Sequence, residues 1–101
     1  MPRTPIAVSR AMAEIGESLR TWRRLRELTV AETADRAGIG VSTLQRLERG
    51  QGGTVETLLR VARALGVLDQ LTGALDPLST DVGRLRATEA LPTRVRRRGV
   101  R

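Results

Sequence analysis

Two glycines separated by one residue interrupt a helical pattern in the middle of the chain. In TVAETADRAGIGVSTLQRLERG, residues 29–50, apolar positions recur with helical period up to Gly38, break at Gly-Ile-Gly, and resume from Val41. Each piece falls short of the roughly 12–15 residues that an isolated helix needs in water. Such pieces persist only when packed on a common core, and the two glycines allow a tight turn between them. The second piece is also unusual in kind. It sets Ser, Thr, Gln and Arg around just two leucines, Leu44 and Leu47.

The rest of the chain reads as further helices. From Arg10 to Glu27, Ile15, Leu19, Trp22 and Arg26 recur at 3–4 spacing. Thr29 and Glu32 form a T-x-x-E capping box that starts a second helix near Val30, and Gly38 ends it. The third runs from Val41 to Arg49 and is closed by Gly50. After the loop Gln51-Gly52-Gly53, Thr54 caps a fourth helix, VETLLRVARAL, which buries Leu58, Val61, Ala62 and Leu65 and stops at Gly66. A fifth, Leu68 to Leu75, precedes the breaker Asp76-Pro77. Trp22 is the sole aromatic residue, which favours helices over strands. The expected layout is a flexible arm over residues 1–9, one helical domain over 10–75, and an Arg-rich tail over 76–101.

Charge points to a partner class. The formal net charge is +7, and all 18 basic residues are Arg. An excess of guanidinium groups suits polyanions, because the planar fork pairs with phosphate and with guanine. On a wheel of about 100° per residue, Leu44 and Leu47 of the third helix face inward. Ser42, Gln45, Arg46 and Arg49 lie opposite, with Val41 and Thr43 on the edges. A short helix with one apolar seam and a hydrogen-bonding outer face fits the major groove of DNA. Two charges sit on the wrong side. Arg23 falls within the stripe of the first helix and Glu48 beside the seam of the third, so they are expected to pair across that interface.

These residues resemble the lambda-repressor-like helix-turn-helix family, also called the XRE or Cro/C1 type. The resemblance runs from Ile15 to Leu71 through GESLRTWRRLRELTVAETADRAGIGVSTLQRLERG and TVETLLRVARALGV. Its marks are the cap at Thr29, Ala34 with Gly38, Glu48 with Gly50, and the closing Ala64 to Val67. It implies an all-α fold of five helices, a homodimer on a palindromic operator in double-stranded DNA, and a structural pair between Arg23 and Glu48. The chain departs from the family at three positions. Val30 and Val41 stand where phage repressors often carry two cooperating glutamines, so that base preference does not transfer. Val41 could instead touch a thymine methyl and Arg46 could read guanine. Thr33 stands where the family usually has Leu, and if buried its hydroxyl must bond back to the Thr29 carbonyl.

Catalysis has little to work with, since the chain holds neither His nor Cys, and no metal or cofactor site is expected. No apolar run approaches the ~20 residues of a membrane span, and the first residues lack a signal-peptide core, so a cytoplasmic protein is expected. Small members of the family with a short C-terminal extension resemble HipB-like antitoxins, and the ending DPLSTDVGRLRATEALPTRVRRR looks similar. The resemblance therefore implies an autoregulating repressor whose partner is a HipA-like kinase toxin, with a plain transcriptional regulator as the alternative. In the tail, Arg94, Arg96, Arg97 and Arg98 could hold either DNA phosphates or a protein partner, with Val82, Leu85 and Leu91 as apolar anchors.

Overall fold

Helix α1 spans Ile6–Leu25 in the computed structural model, which describes residues 3–90 of the chain. The expected arm over residues 1–9 is therefore too long, since residues 6–9 are the first turn of this helix. Pro5 starts the helix instead of excluding it. With φ −58° and ψ 147° it places its carbonyl to accept from the N–H groups of Val8 and Ser9, both at 3.0 Å. Proline suits such a position because the first helical donors lack partners anyway. The other end also differs from the sequence pattern, which ran on to Glu27. Glu27 takes the left-handed conformation, φ 57°, and its N–H donates to Arg24 O while that of Leu28 donates to Arg23 O. This closure is ordinarily made with glycine, and with a glutamate it costs roughly 1 kcal/mol.

Helix α2 (Val30–Ala37) begins in the Thr29–Glu32 capping box: the Glu32 N–H donates to Thr29 Oγ1 at 3.0 Å, and the Thr29 N–H to Glu32 Oε1 at 2.9 Å. It ends at Gly38, whose φ of 70° is left-handed. Gly40, by contrast, has φ −75° and ψ 154°, extended backbone open to any residue. The tight turn into α3 (Val41–Glu48) thus needs one glycine, not two.

Helix α4 (Val55–Leu65) closes the group, capped by Thr54 Oγ1 accepting from the Thr57 N–H at 3.0 Å. The core they share is aliphatic and small: Leu19, Ala34, Ala37, Leu44, Leu47, Val61, Ala62, Leu65 and Val67. Leu58 is half-buried at its edge. Thr33 is wholly buried, and its hydroxyl donates to Thr29 O at 3.0 Å, which satisfies the one polar side chain in this core.

The inward stripe of α1 is turned from the one its apolar spacing suggests. Gly16 and Leu19 are the buried residues, whereas Ile15 is exposed and Trp22 half-buried. The reason is Gly16. A Cβ there would stand 2.5 Å from the carbonyl oxygens of both Leu47 and Glu48, so the end of α3 rests on bare α1 backbone.

The chain divides into two compact units between Leu68 and Asp69, inside helix α5 (Leu68–Ala74). In the second unit a 3₁₀ turn (Pro77–Ser79) leads into α6 (Asp81–Ala90), a sixth helix where the sequence suggested only a tail. Local caps explain it. Asp76 Oδ1 accepts from the Leu78 N–H at 2.9 Å, Thr80 Oγ1 from the Gly83 N–H at 2.9 Å, and Arg84 donates to Leu78 O at 2.8 Å. Among the described residues there is no strand, and no helix is long and apolar enough to cross a membrane.

Two substitutions test this account. Alanine normally improves a helix interior over glycine by roughly 0.5–1 kcal/mol. Gly16→Ala should do the reverse and lower stability by about 1–3 kcal/mol in urea unfolding, because backbone oxygens cannot yield as side chains do. The second concerns Glu32, whose bonds to the Thr29 backbone and hydroxyl hold its carboxyl below the ordinary value of 4.5. A depressed carboxyl stabilises fully above its unfolded pKa and loses that contribution as pH falls through the folded one. The stability gap between wild type and Glu32→Gln should stay level above pH 4.5 and close on further acidification, as followed by urea titration at each pH.

Candidate nucleic-acid interface

An eight-residue helix cannot hold its own orientation, so the seat of α3 decides what its outer face presents. Gly16 supplies the close approach on one side. Beside it Arg23 reaches from α1 and grips Glu48 with two parallel bonds, Nε to Oε2 at 2.8 Å and a terminal nitrogen to Oε1 at 3.1 Å. The remaining terminal nitrogen donates to Leu28 O at 3.1 Å, in the turn before α2. Only 12% of the Arg23 side chain and 8% of the Glu48 side chain are exposed. The bonds to Glu48 raise the Arg23 pKa further, outweighing the opposing effect of burial. One guanidinium thereby ties α1, the turn into α2 and the end of α3.

With its seam of Leu44 and Leu47 buried, α3 turns Val41, Ser42 and Arg46 outward, and Arg49 follows as the exposed residue at its C-terminal end. Thr43 and Gln45 are half-buried flanks of that face. The full set of sequence candidates is brought together on one short element, but not equally. Gln45 looks into a cleft of about 220 Å³ lined also by Arg20, Arg23, Val30, Glu48 and Arg49.

Arg20 is the residue that the sequence reading missed. It lies one turn before Arg23 on α1, and this spacing alone puts it on the α3 side of the helix. Among the described residues, none of Arg20, Arg46 and Arg49 takes part in an ion pair, in contrast to Arg23, Arg60 and Arg84. The rim of α3 therefore carries three guanidinium groups open to an anion. Arg94, Arg96, Arg97 and Arg98, the tail candidates, lie outside the described residues. No cluster of three or more His, Cys, Asp or Glu suited to a metal occurs among the described residues.

Two short helices at a glycine turn, the second seated by an Arg–Glu pair and facing outward, form a helix-turn-helix. A family model described as a helix-turn-helix domain matches residues 14–75. The chain belongs to that family. Its helix-turn-helix is of the lambda-repressor-like type, with α2 and α3 as the paired helices. No curated protein and no solved structure matches the chain. The helix-turn-helix departs from phage repressors where Val30 stands at the start of α2 and Val41 at the start of α3. Val30 is half-buried on the cleft wall, while Val41 is 43% exposed and free to make apolar contact.

Removing one partner of a buried pair leaves an uncompensated charge. Glu48→Ala should therefore destabilise the helix-turn-helix by about 3–5 kcal/mol in chemical unfolding. Replacing Arg23 and Glu48 together by apolar residues of similar volume should recover much of the loss. A melting point within a degree or two of wild type for Glu48→Ala would remove the pair from any structural role.

Proposed function

We propose that this DNA-binding regulator is a sequence-specific repressor that acts as a homodimer on a palindromic operator. The observation that carries the reading is the outward face of α3, where Val41, Ser42 and Arg46 stand exposed beside the unpaired Arg20 and Arg49. Arg46 suits a guanine edge and Val41 a thymine methyl; Ser42, Thr43 and Gln45 supply hydrogen bonds to other base edges. Arg49 and Arg20, set at the margins of that face, suit phosphates. Binding is the whole activity in this reading.

The narrower proposal makes the repressor the antitoxin of a HipA-like kinase toxin, autoregulating its own operon. Its support is the similarity of residues 76–98 to the C-terminal extensions of HipB-like antitoxins. The same DNA-binding face would serve a plain transcriptional regulator without a toxin. Co-expression with the product of the adjacent gene separates the two, since an antitoxin co-purifies with that product and silences its activity.

The DNA-binding face is tested by selecting duplexes from random DNA and measuring affinity against salt. Arg46→Ala should weaken the selected site by about 1–3 kcal/mol and relax preference at one base pair. Arg49→Ala should weaken all sequences evenly and reduce the salt slope by about 0.9, the share of a single phosphate. Unchanged binding by the combined Ser42, Gln45 and Arg46 alanine variant would end the assignment.

A further inference from the structure

Helix α1 meets the end of α3 at two levels. Bare backbone at Gly16 rests against the carbonyl oxygens of Leu47 and Glu48, and Arg23 grips the Glu48 carboxylate. Arg20 lies between these levels, four residues after the first and three before the second. That places it beside Arg49, which directly follows Glu48. Both line the cleft of about 220 Å³, Arg20 from α1 and Arg49 from the end of α3. The acid in this cleft is Glu48, and it is closed to both of them. Arg23 already holds each of its oxygens, at 2.8 and 3.1 Å, and only 8% of its side chain is exposed. Among the described residues neither Arg20 nor Arg49 takes part in an ion pair.

The recess therefore combines a neutral, largely buried pair with two uncompensated positive charges and the apolar wall of Val30. Like charges so placed repel until an anion enters between them, and partly buried surroundings weaken screening by salt. A backbone phosphate of DNA suits the place. It carries one negative charge and two non-bridging oxygens, so each guanidinium can take an oxygen while the charge is shared. The duplex is convex and its phosphates follow the outside of the rod, so a recess admits one of them. The cleft also adjoins the outward face of α3, since Gln45 on the flank of that face lines it.

We infer that Arg20 and Arg49 clamp the same backbone phosphate, one from α1 and one from the end of α3, so that a single DNA contact fastens the two helices across the Arg23–Glu48 pair. The inference deepens the DNA-binding reading above, which gives both residues phosphates but not a common one. It is tested on duplexes of any sequence, so it and sequence-specific repression can fail separately. Sharing has a numerical signature. Two arginines on separate phosphates would together contribute about 1.8 to the salt slope of each bound chain, whereas on one phosphate they contribute about 0.9.

Arg20→Gln, Arg49→Gln and the double variant should unfold in urea as wild type does, because both side chains are exposed. Affinity for a duplex of unrelated sequence is then measured against salt. The double variant should lose about 0.9 of the slope, no more than Arg49→Gln alone. Its affinity should exceed that expected from multiplying the two single losses by at least about threefold, the mark of groups that act on one partner. On the selected duplex, linkages are replaced one at a time by uncharged methylphosphonate. One position in each half-site should make wild type and both single variants bind alike. A slope loss near 1.8 with multiplicative affinities would overturn the inference, as would an Arg20→Gln variant that binds like wild type. Separate methylphosphonate positions for the two arginines would overturn it too. A selection that returns no preferred sequence would end the repressor reading without touching the coupled loss, and a wild type that binds no duplex would end both.

Discussion

The bidentate contact between Arg23 and Glu48 holds the architecture because it is made where the fold has least to hold with. Helix α3 has two buried leucines, no side-chain cap at its first turn, and a glutamate at the end where helix polarity favours a cation. Left to itself that glutamate would weaken the helix and carry a charge into the core. Met by Arg23 at 2.8 Å, it becomes the anchor that fixes the helix end against α1. The neighbouring Gly16 lets the backbones touch, so the pair acts over a short, fixed distance. Position and presentation are thereby linked: what seats α3 also decides which of its residues face outward.

The same device recurs at other joints. Arg26 donates from Nε to Leu65 O at 3.0 Å, at the end of α4, while its guanidinium lies 5.2 Å from the Trp22 ring. Arg60 reaches Ala37 O, at the end of α2, at 3.4 Å. Helix ends leave carbonyls without partners, and a cation placed there satisfies the acceptor and opposes the helix dipole. A core built mainly of alanine, valine and leucine offers few large side chains to lock helices by shape. Long guanidinium arms perform that task from the margins.

Much of this was legible in the sequence, and the failures have physical causes. The capping box at Thr29, the left-handed end at Gly38 and the all-helical class follow from local chemistry that needs no tertiary context. Arg23 and Glu48 stand out in the sequence as charges on apolar stripes, and the structure has them in contact. The stripe of α1 was misjudged because periodicity counts apolar side chains, whereas its closest contact is made by Gly16, which has none. Its end was misjudged because Glu27 adopts a backbone that sequence reasoning reserves for glycine. Arg20 was overlooked for a related reason: its relevance comes from α3 lying alongside, not from any local pattern. Helix α6 escapes a reading by apolar pattern because it has no buried residue; its signals are the caps at Asp76 and Thr80.

Arginine at every basic position has a further consequence for how such a protein responds to its surroundings. With no histidine, lysine, cysteine or tyrosine, the side chains contain no group that titrates between about pH 6 and pH 12. Alkaline conditions cannot loosen the scaffold by deprotonating it, and mild acid cannot recruit extra positive charge toward a polyanion. Above about pH 6, ionic strength is left as the solution variable to which this surface answers.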